Sequence, residues 1–292
     1  MKAFLKAEAS TNNVLVTGTP RSGTTLTCHL LNRLPDTVAL HEPMNVKEFA
    51  KLKDREEICR SIKGFCDEQR TSLHRRKSAI SKNVGGAVPD NPIGTDRSEA
   101  GLRRSISPRG EIIVDRELSQ DFMLVIKHNA AFAAVLEELA RRFPVYAVIR
   151  NPLATLASWN SIDFNAQRGH IPAAERLDSA LKAKLAAIDD RLDRQIYVLG
   201  WFHRQFRSYL PEQSIISYES VIESGGKSLS VVRSEAKNLD EPLESQNSSK
   251  LYDYQNTLRI GERLLKSEGA YWESYTRESV ERLLNELKEP SS

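Results

Sequence analysis

The sequence predicts an α/β fold in which a central parallel sheet is flanked by helices on both faces. Three observations lead to this prediction. The chain contains several short runs of apolar, often β-branched residues, which are typical of strands buried on both faces of a parallel sheet. Amphipathic helical patterns separate several of these runs. A glycine-containing turn joins the first run directly to the first helical pattern.

The predicted elements begin with a strand at residues 14–17, which ends at Gly18. The next segment, residues 24–33, has leucines spaced for one face of a helix. Further strands are predicted where the same kind of apolar run recurs, at residues 37–40, 112–114, 122–126, 145–149 and 214–217.

The length of 292 residues and the apolar content of 40% suit a single domain over residues 1–292. In residues 70–109, the stretches "HRRK", "NVGGAVPDNPIG" and "RRSISPRG" replace apolar periodicity with Gly, Pro, Ser and Arg. We therefore expect a flexible insertion or substrate lid in this segment. From residue 256 onward, amphipathic patterns predict a helical C-terminal part.

The composition excludes some classes of protein. A formal charge of +3 is too small for a dedicated nucleic-acid binder, so anionic ligands would have to be held by local clusters. Cys28, Cys59 and Cys66 form no CxxC pair, which favours a reducing compartment and indicates no structural metal. The start "MKAFLKAEASTNN" lacks the features of a signal peptide, and no apolar run reaches the length of a membrane span. We expect a cytoplasmic protein without a membrane partner.

The turn "GTPRSGTT" has the glycine spacing of the P-loop pattern GxxxxGK[ST] but not its lysine. Thr24 stands at the lysine position and Thr25 at the position of the hydroxyl residue. A turn of this kind holds a phosphate because its backbone N–H groups and the helix N-terminus point into one concavity. Arg21 is the cation that the loop itself supplies.

Two stretches resemble the sulfotransferases that use 3′-phosphoadenosine 5′-phosphosulfate (PAPS). "TPRSGTTL" resembles the loop that binds the 5′-phosphosulfate, and "VYAVIRNPLATLASW" is similar to the segment that binds the 3′-phosphate. The resemblance implies a P-loop NTPase-like sulfotransferase fold. It also implies PAPS as sulfuryl donor, adenosine 3′,5′-bisphosphate (PAP) as product, and no metal requirement. The donor-binding residues would be Arg21, Ser22, Gly23, Thr24, Thr25, Arg150, Ser158 and, near the adenine in "SIISYESV", Tyr218.

Independently of the resemblance, Arg150 follows a predicted strand, and open α/β sheets bind ligands at the carboxyl ends of their strands. Its planar guanidinium suits a phosphate dianion. Ser158 lies about two helical turns further on and would add a neutral donor.

Leu26 replaces the aromatic residue that the family has after the Thr-Thr pair, and the "RKG" loop of the cytosolic animal enzymes is not evident. These departures favour a bacterial type of sulfotransferase.

For catalysis, the resemblance implies Arg21 as the cation at the leaving phosphate. Lys127 either approaches the bridging oxygen of the donor or only lines the cleft. Glu42 in "LHEPMN" resembles a glutamate of bacterial and carbohydrate sulfotransferases and is the first candidate for the base. We expect partial desolvation to raise its pKa toward neutrality. His128 and His41 are the next candidates. In "VIKHN", His128 follows the lysine by one residue instead of two, so alternation turns it to the opposite side.

The function expected from the sequence is in-line sulfuryl transfer from PAPS to a hydroxyl or amine of a small, medium or carbohydrate-like acceptor. Two alternatives stay open. "EIIVDRE" could be a strand ending in a Mg²⁺-binding Asp115, as in a P-loop kinase that uses ATP. The basic stretches of residues 70–109 could bind an anion or nucleic acid without catalysis, although such runs are usually solvated. The acceptor, the choice of base and the oligomeric state are not determined by these patterns.

Overall fold

The computed structural model describes residues 12–288; most of the stretch "MKAFLKAEASTNN", examined above for a signal peptide, lies outside them. The strands are β1 (Asn13–Gly18), β2 (Thr37–His41), β3 (Ser78–Lys82), β4 (Ile93–Arg97), β5 (Arg103–Ser105), β6 (Arg109–Ile113), β7 (Met123–Lys127), β8 (Val145–Ile149) and β9 (Ile215–Ser217). 

The helices are α1 (Thr24–Leu31), α2 (Arg55–Arg76), α3 (Ala130–Ala134), α4 (Leu136–Ala140), α5 (Pro152–Asn160), α6 (Pro172–Glu175), α7 (Ser179–Ala186), α8 (Arg191–Tyr209), α9 (Tyr218–Glu223), α10 (Tyr254–Leu265) and α11 (Arg277–Lys288). In this part of the chain, no helix is both long and apolar enough to cross a bilayer. 

Five strands form the central sheet in the order β2-β7-β1-β8-β9, and every neighbouring pair is parallel. The predicted parallel sheet is therefore confirmed, and β1 lies at its centre with the glycine turn at its carboxyl end. Since parallel strands place their carboxyl ends at one edge, the residues that follow β1, β2, β7 and β8 meet there.

Helices cover both faces of this sheet, as predicted. One core contains the side chains of Leu15, Leu40 and Ile126 and is closed by helices that include α2, α3, α5 and α8. The other contains Val16 and Val125 and is closed by α1, α9 and the turns of residues 227–238. Successive residues of a strand point to opposite faces, so a strand buried on both sides must be apolar throughout. Each such leucine or isoleucine contributes about 1.5–3 kcal/mol.

The predicted strand at residues 112–114 is not part of the parallel sheet. It belongs to β6, which pairs with β3 in a separate antiparallel sheet. Ile112 is buried but Ile113 is 66% exposed, so the run has one buried face and suits the edge of the molecule. An apolar run predicts a strand, whereas its partner depends on which of its faces the rest of the chain covers.

Residues 70–109 contain the end of α2 together with β3, β4 and β5. These strands were not predicted, because they are short and polar. β4 pairs with β5 in a hairpin, and β3 is held by β6. At the other end of the chain, α10 begins at Tyr254 and packs on α5 and α11.

Candidate active site

A cleft of about 620 Å³ lies at the carboxyl edge of the sheet, within the usual size range of small-molecule sites. Its floor is formed by the ends of β1, β2, β7 and β8. The segment of residues 82–107 covers one side. The other side is covered by a segment that we call the strap, residues 242–252, which connects the turns after α9 to α10. Of the residues predicted from the sequence, those lining the cleft are Arg21, Gly23, Thr24, Thr25, His41, Glu42, Lys127, Arg150 and Tyr218.

The glycine turn is shaped by close contacts that tolerate no side chain at two positions. A Cβ at Gly18 would lie 2.4 Å from the carbonyl oxygen of Val148, and a Cβ at Gly23 would lie 2.7 Å from the Tyr218 ring. Gly23 also has a φ of 90°, which side chains disfavour. It is the N-cap of α1, and the first N–H groups of the helix, on Thr24 and Thr25, have no carbonyl partner within the helix. The turn therefore presents free N–H groups to the cleft.

Ser22 is not available to a ligand in the way that the sequence suggested. Its side chain is fully buried, and its hydroxyl lies 2.8 and 2.6 Å from the carbonyl oxygens of Thr19 and Val148, which share its one proton. Its backbone N–H donates to Thr19 as well. Ser22 thus fastens the turn to strand β8 and stabilises the loop conformation, because both of its donors have partners inside the protein.

Arg21 extends from the turn toward the middle of the cleft. Its Nε donates to the Oγ of Ser158 at 3.3 Å, and its Nη2 donates to the Oδ1 of Asn91 at 3.1 Å. Burial lowers the pKa of Arg21 to about 10, so the side chain stays charged at neutral pH. Ser158 is buried on α5 and here accepts a bond from Arg21, which links the two motifs directly.

Arg150 is 3% exposed and points along the strap. Its Nε donates to Asn247 Oδ1 at 2.7 Å, and its Nη2 donates to the carbonyl of Gln246 at 2.5 Å and to the hydroxyl of Tyr252 at 3.1 Å. Its Nη1 donates to the carbonyl of Arg21 at 3.0 Å. All of these acceptors are neutral.

Between residues 12 and 288, neither Arg150 nor Arg21 forms an ion pair with a carboxylate. Buried charges in proteins are usually paired, because leaving a charge without a counter-ion is costly. Two largely buried guanidinium groups in one cleft with neutral partners therefore form an anion-binding environment.

Tyr218 connects the turn, Arg150 and the strap. Its ring lies against Gly23, and the guanidinium carbon of Arg150 lies 4.7 Å from the ring centre. The Tyr218 hydroxyl accepts a bond from the backbone N–H of Gln246 at 2.9 Å. The neighbouring Glu219 points away from the cleft and accepts from the backbone of Asn151, the side chain of Asn247 and the hydroxyl of Tyr275.

Glu42 lines the same cleft as the glycine turn and lies between two lysines. Its Oε1 is 3.0 Å from the Nζ of Lys127, and its Oε2 is 2.6 Å from the Nζ of Lys82. Lys127 ends strand β7 and is 2% exposed, whereas Lys82 ends β3 and is 31% exposed. The carboxylate is therefore fixed at both oxygens and spans the cleft floor from the sheet to the covering segment.

The prediction that the pKa of Glu42 is raised is wrong. Burial by itself raises the pKa, but Lys127 and Lys82 lower it more strongly, so that the pKa lies well below its ordinary value. Desolvation of Glu42 is outweighed because the second lysine, Lys82, comes from a strand that is distant in the sequence. Glu42 is consequently ionised at neutral pH.

His128 lies off the cleft, as the alternation argument indicated. Its Nε2 accepts the backbone N–H of Met44 at 3.1 Å, and its ring packs edge-on against Phe132. Burial lowers its pKa to about 3, so the ring is neutral. His41 lines the cleft but is 3% exposed, and burial lowers its pKa to about 2. Its Nδ1 has no hydrogen-bond partner among the residues described.

Sequence reasoning missed several residues of the site. Lys82 and Asn91 lie in the segment that was expected to be a flexible insertion, and Gln246, Asn247 and Tyr252 lie in the strap, where no motif was recognised. A lysine ending a strand is a detectable signal for Lys82, but β3 was not predicted. The remaining residues are amides and a tyrosine in irregular segments, which carry no local pattern.

Asp115, the proposed Mg²⁺ ligand of a kinase, is far from this arrangement. It follows β6 outside the central sheet, its side chain is 84% exposed, and it pairs with Lys77. The strands next to β1 that end at the cleft are β7, which ends in Lys127, and β8, which is followed by Arg150. The Walker B interpretation of "EIIVDRE" is therefore wrong.

Comparisons with known proteins give little further information. No family model matches the sequence, and no curated protein matches it. Among solved structures, the chain is similar to the sulfotransferase STF9 from Mycobacterium avium, with 15% identity and a TM-score of 0.34 over 94% of this chain and 75% of that one. It is also similar to the sulfotransferase STF1 from Mycobacterium tuberculosis H37Rv, with 12% identity and a TM-score of 0.32 over 94% and 76%. TM-scores this low carry no weight for activity, which must be argued from the cleft.

Proposed function

We propose that this protein is a sulfotransferase that moves the sulfuryl group of PAPS to a hydroxyl or amine of a small or medium acceptor. The proposal rests on one observation above all. A single cleft combines a phosphate-binding turn that lacks the P-loop lysine with a second, buried arginine at the end of the neighbouring strand β8. A donor with one phosphosulfate and one separate phosphate needs two such anion sites.

The residues of the cleft fit this donor. The free N–H groups of Thr24 and Thr25 suit the 5′-phosphosulfate, and Arg21 suits the charge that develops on the leaving phosphate. Arg150 would hold the 3′-phosphate after exchanging its neutral strap partners for the anion. Tyr218 would lie beside the nucleoside. Ser22 would make no direct side-chain contact with the donor, because its hydroxyl bonds within the protein, and Ser158 would support Arg21.

When bound, PAPS supplies an activated sulfuryl group, whose bond to the 5′-phosphate breaks as the acceptor oxygen or nitrogen bonds to sulfur. Glu42 takes the proton of the acceptor group and later returns it to solvent. Lys127 lies on the β1 side of Glu42 and neutralises negative charge near the transferred group. The wall formed by Ile93, Ile162 and Phe164 gives the acceptor an apolar surface, and we propose that residues 70–109 act as its cover.

The test combines binding with transfer. The purified protein is incubated with sulfur-35-labelled PAPS and pools of alcohols and amines, and products are analysed by mass spectrometry for an added sulfuryl group. PAP binding is measured by calorimetry. We expect PAP binding and label transfer in the presence of EDTA, both weakened by Arg21→Ala. Arg263→Ala serves as the control, because Arg263 pairs with Asp193 on the surface.

Other outcomes would decide against the proposal. ATP binding with a strict Mg²⁺ requirement would indicate a kinase. Steeply salt-dependent DNA or RNA binding that survives Arg21→Ala would indicate a nucleic-acid binder. The absence of both PAP binding and sulfuryl transfer to any acceptor pool would refute the sulfotransferase directly.

A further inference from the structure

We infer that Lys82 is a positioning residue, which holds the acceptor-side oxygen of Glu42 in the orientation that removes the acceptor proton. This inference rests on the proposed function. It concerns a residue outside both donor motifs, in the segment of residues 70–109 that the resemblance does not cover. It rests on the observation that the two oxygens of the Glu42 carboxylate have different partners: Lys127 binds Oε1 and Lys82 binds Oε2.

Lys82 is held in place from three directions, although its strand belongs to an insertion. The backbone N–H of Ile80 donates to the buried side chain of Gln69 on α2 at 2.8 Å. The hydroxyl of Ser81 accepts the backbone N–H of His41 at 3.0 Å, which docks β3 on β2. Lys82 itself lies opposite Arg109 in the β3-β6 register. The ammonium is therefore placed by the scaffold and not by a free loop.

The two lysines differ in their surroundings. Lys127 is almost completely buried at the end of the strand that neighbours β1, so it lies on the donor side of Glu42. Lys82 is partly exposed and lies on the side of the covering segment, which also contributes Ser105 and Ser107 to the cleft wall. Because each lysine binds a different oxygen, Lys82 can orient the carboxylate while Lys127 acts toward the donor.

Glu42 also has the backbone conformation of a residue that is held in place. Its φ of 44° is in the left-handed region, which a residue with a Cβ adopts only when its surroundings enforce it. Its N–H donates to the carbonyl of Lys127, and its carbonyl accepts from Arg109 Nε at 3.3 Å. The titratable or charged groups that face the carboxylate from all packed elements are His41, Cys28, Lys82, Arg109, Lys127 and His128.

The experiment compares Lys82→Met with wild type in PAP binding, kcat and the pH profile of kcat/KM. The methionine keeps the apolar stem and removes the charge. We expect PAP affinity to be unchanged and kcat to fall, by up to about 100-fold for a misplaced catalytic group. The acidic limb of the profile should move to higher pH, since removing a neighbouring cation makes the carboxylate easier to protonate. Lys82→Arg should restore part of kcat.

Lys77→Met is the matched control, because Lys77 precedes the same strand and pairs with Asp115 on the surface. An unchanged kcat and acidic limb in Lys82→Met, or a loss of PAP affinity as large as the loss of kcat, would overturn the inference.

Carbon-13 NMR titration of the Glu42 carboxyl, assigned with Glu42→Gln, reports the Lys82–Glu42 coupling without any turnover. If wild type transfers no sulfuryl group while this titration still moves in Lys82→Met, the proposed function fails and the coupling stands. If wild type transfers and the titration does not move, the assignment of Lys82 fails alone.

Discussion

Two residues of the cleft, Arg21 and Glu42, have left-handed backbone conformations with φ values of 71° and 44°. Such a conformation costs about 1–2 kcal/mol for a residue with a Cβ. Hydrogen bonds hold the backbone of both residues: Nη1 of Arg150 donates to the carbonyl of Arg21, and the N–H of Glu42 donates to the carbonyl of Lys127. The same conformation at Lys77 ends helix α2, so the conformation alone does not indicate function. Both side chains line the cleft, where Arg21 donates to Ser158 and Asn91 and Glu42 pairs with Lys127 and Lys82.

We predict that Arg150→Ala weakens PAP binding by about 1.5–3 kcal/mol, the usual contribution of hydrogen bonds to a charged group. The reason is that Arg150 is the buried cation assigned to the 3′-phosphate. Calorimetric titration with PAP measures the effect, with Arg263→Ala as the control. Equal PAP affinity in both variants would mean that Arg150 only fixes the strap.

A second prediction concerns Gly23. An added Cβ would meet the Tyr218 ring at 2.7 Å, and the φ of 90° disfavours a side chain. Gly23→Ala should therefore lower the free energy of unfolding by at least about 1 kcal/mol and weaken PAP binding. Gly64→Ala is the control, because Gly64 is exposed within α2 with open space around it, and alanine there should stabilise the helix by about 0.5–1 kcal/mol. Chemical denaturation measures both; a neutral Gly23→Ala would contradict the geometry.

At the level of elements, the strap and the segment of residues 82–107 close the cleft together. Nη2 of Arg97, at the end of β4, donates to the carbonyl of Leu251 in the strap at 2.9 Å. Asn91 holds Arg21, and the strap holds Arg150. Each cover is thus attached to one of the two cations that we propose for the donor, and we expect ligand binding to be coupled to the position of the covers.

This coupling predicts the effect of Tyr252→Phe. The Tyr252 hydroxyl accepts from Arg150 and donates to the carbonyl of Gln246, and its loss weakens the hold of the strap on the guanidinium. Since the strap and the 3′-phosphate compete for the same donors, PAP affinity should rise, by about threefold to tenfold for one hydrogen bond. Tyr254→Phe, two residues further on the exposed side of α10, is the control. A fall in affinity would show that the strap belongs to the bound site.

At the scale of the whole molecule, three buried histidines determine how stability depends on pH. Burial lowers the pKa to about 2 for His41 and to about 3 for His128 and His203, from 6.5. Below pH 6.5 the unfolded chain binds protons at these residues and the folded chain does not. The stability that depends on these neutral histidines is therefore fully present above pH 6.5 and is lost as the pH falls below it. The depressed pKa of Glu42 acts in the same direction, below its ordinary value of 4.5.

We therefore predict that the unfolding free energy falls between pH 6.5 and 3, by up to about 1.4 kcal/mol per pH unit for each buried histidine. His203→Phe should reduce this slope, because His203 packs among Phe206, Tyr271 and Tyr275 without a partner for its Nε2 among the described residues. Phe206→Leu should lower stability equally at every pH. Denaturation at a series of pH values distinguishes the two, and an unchanged slope in His203→Phe would contradict the assignment.

The fold class and the placement of the glycine turn and Arg150 at the carboxyl edge of the sheet were predictable, because each depends on residues close together in the chain. An apolar run identifies a strand such as β7 or β8, and the glycines at positions 18 and 23 require a tight turn at the point where a strand meets a helix. The failures have a common cause. Residues 112–114 were predicted to belong to the parallel sheet, and the pKa of Glu42 was predicted to rise. Both predictions were wrong because the neighbour that decides the outcome is remote in the sequence.

What the chain itself specified is therefore a parallel sheet with Arg21 and Arg150 at its carboxyl edge. The groups that surround these two arginines and Glu42 are determined only by the tertiary structure. Lys82 reaches Glu42 from 40 residues away, and Asn247 reaches Arg150 from 97 residues away. Such partners follow from how segments without local pattern pack over the sheet, and they determine the charge state of the carboxylate and the access of a ligand to the cations.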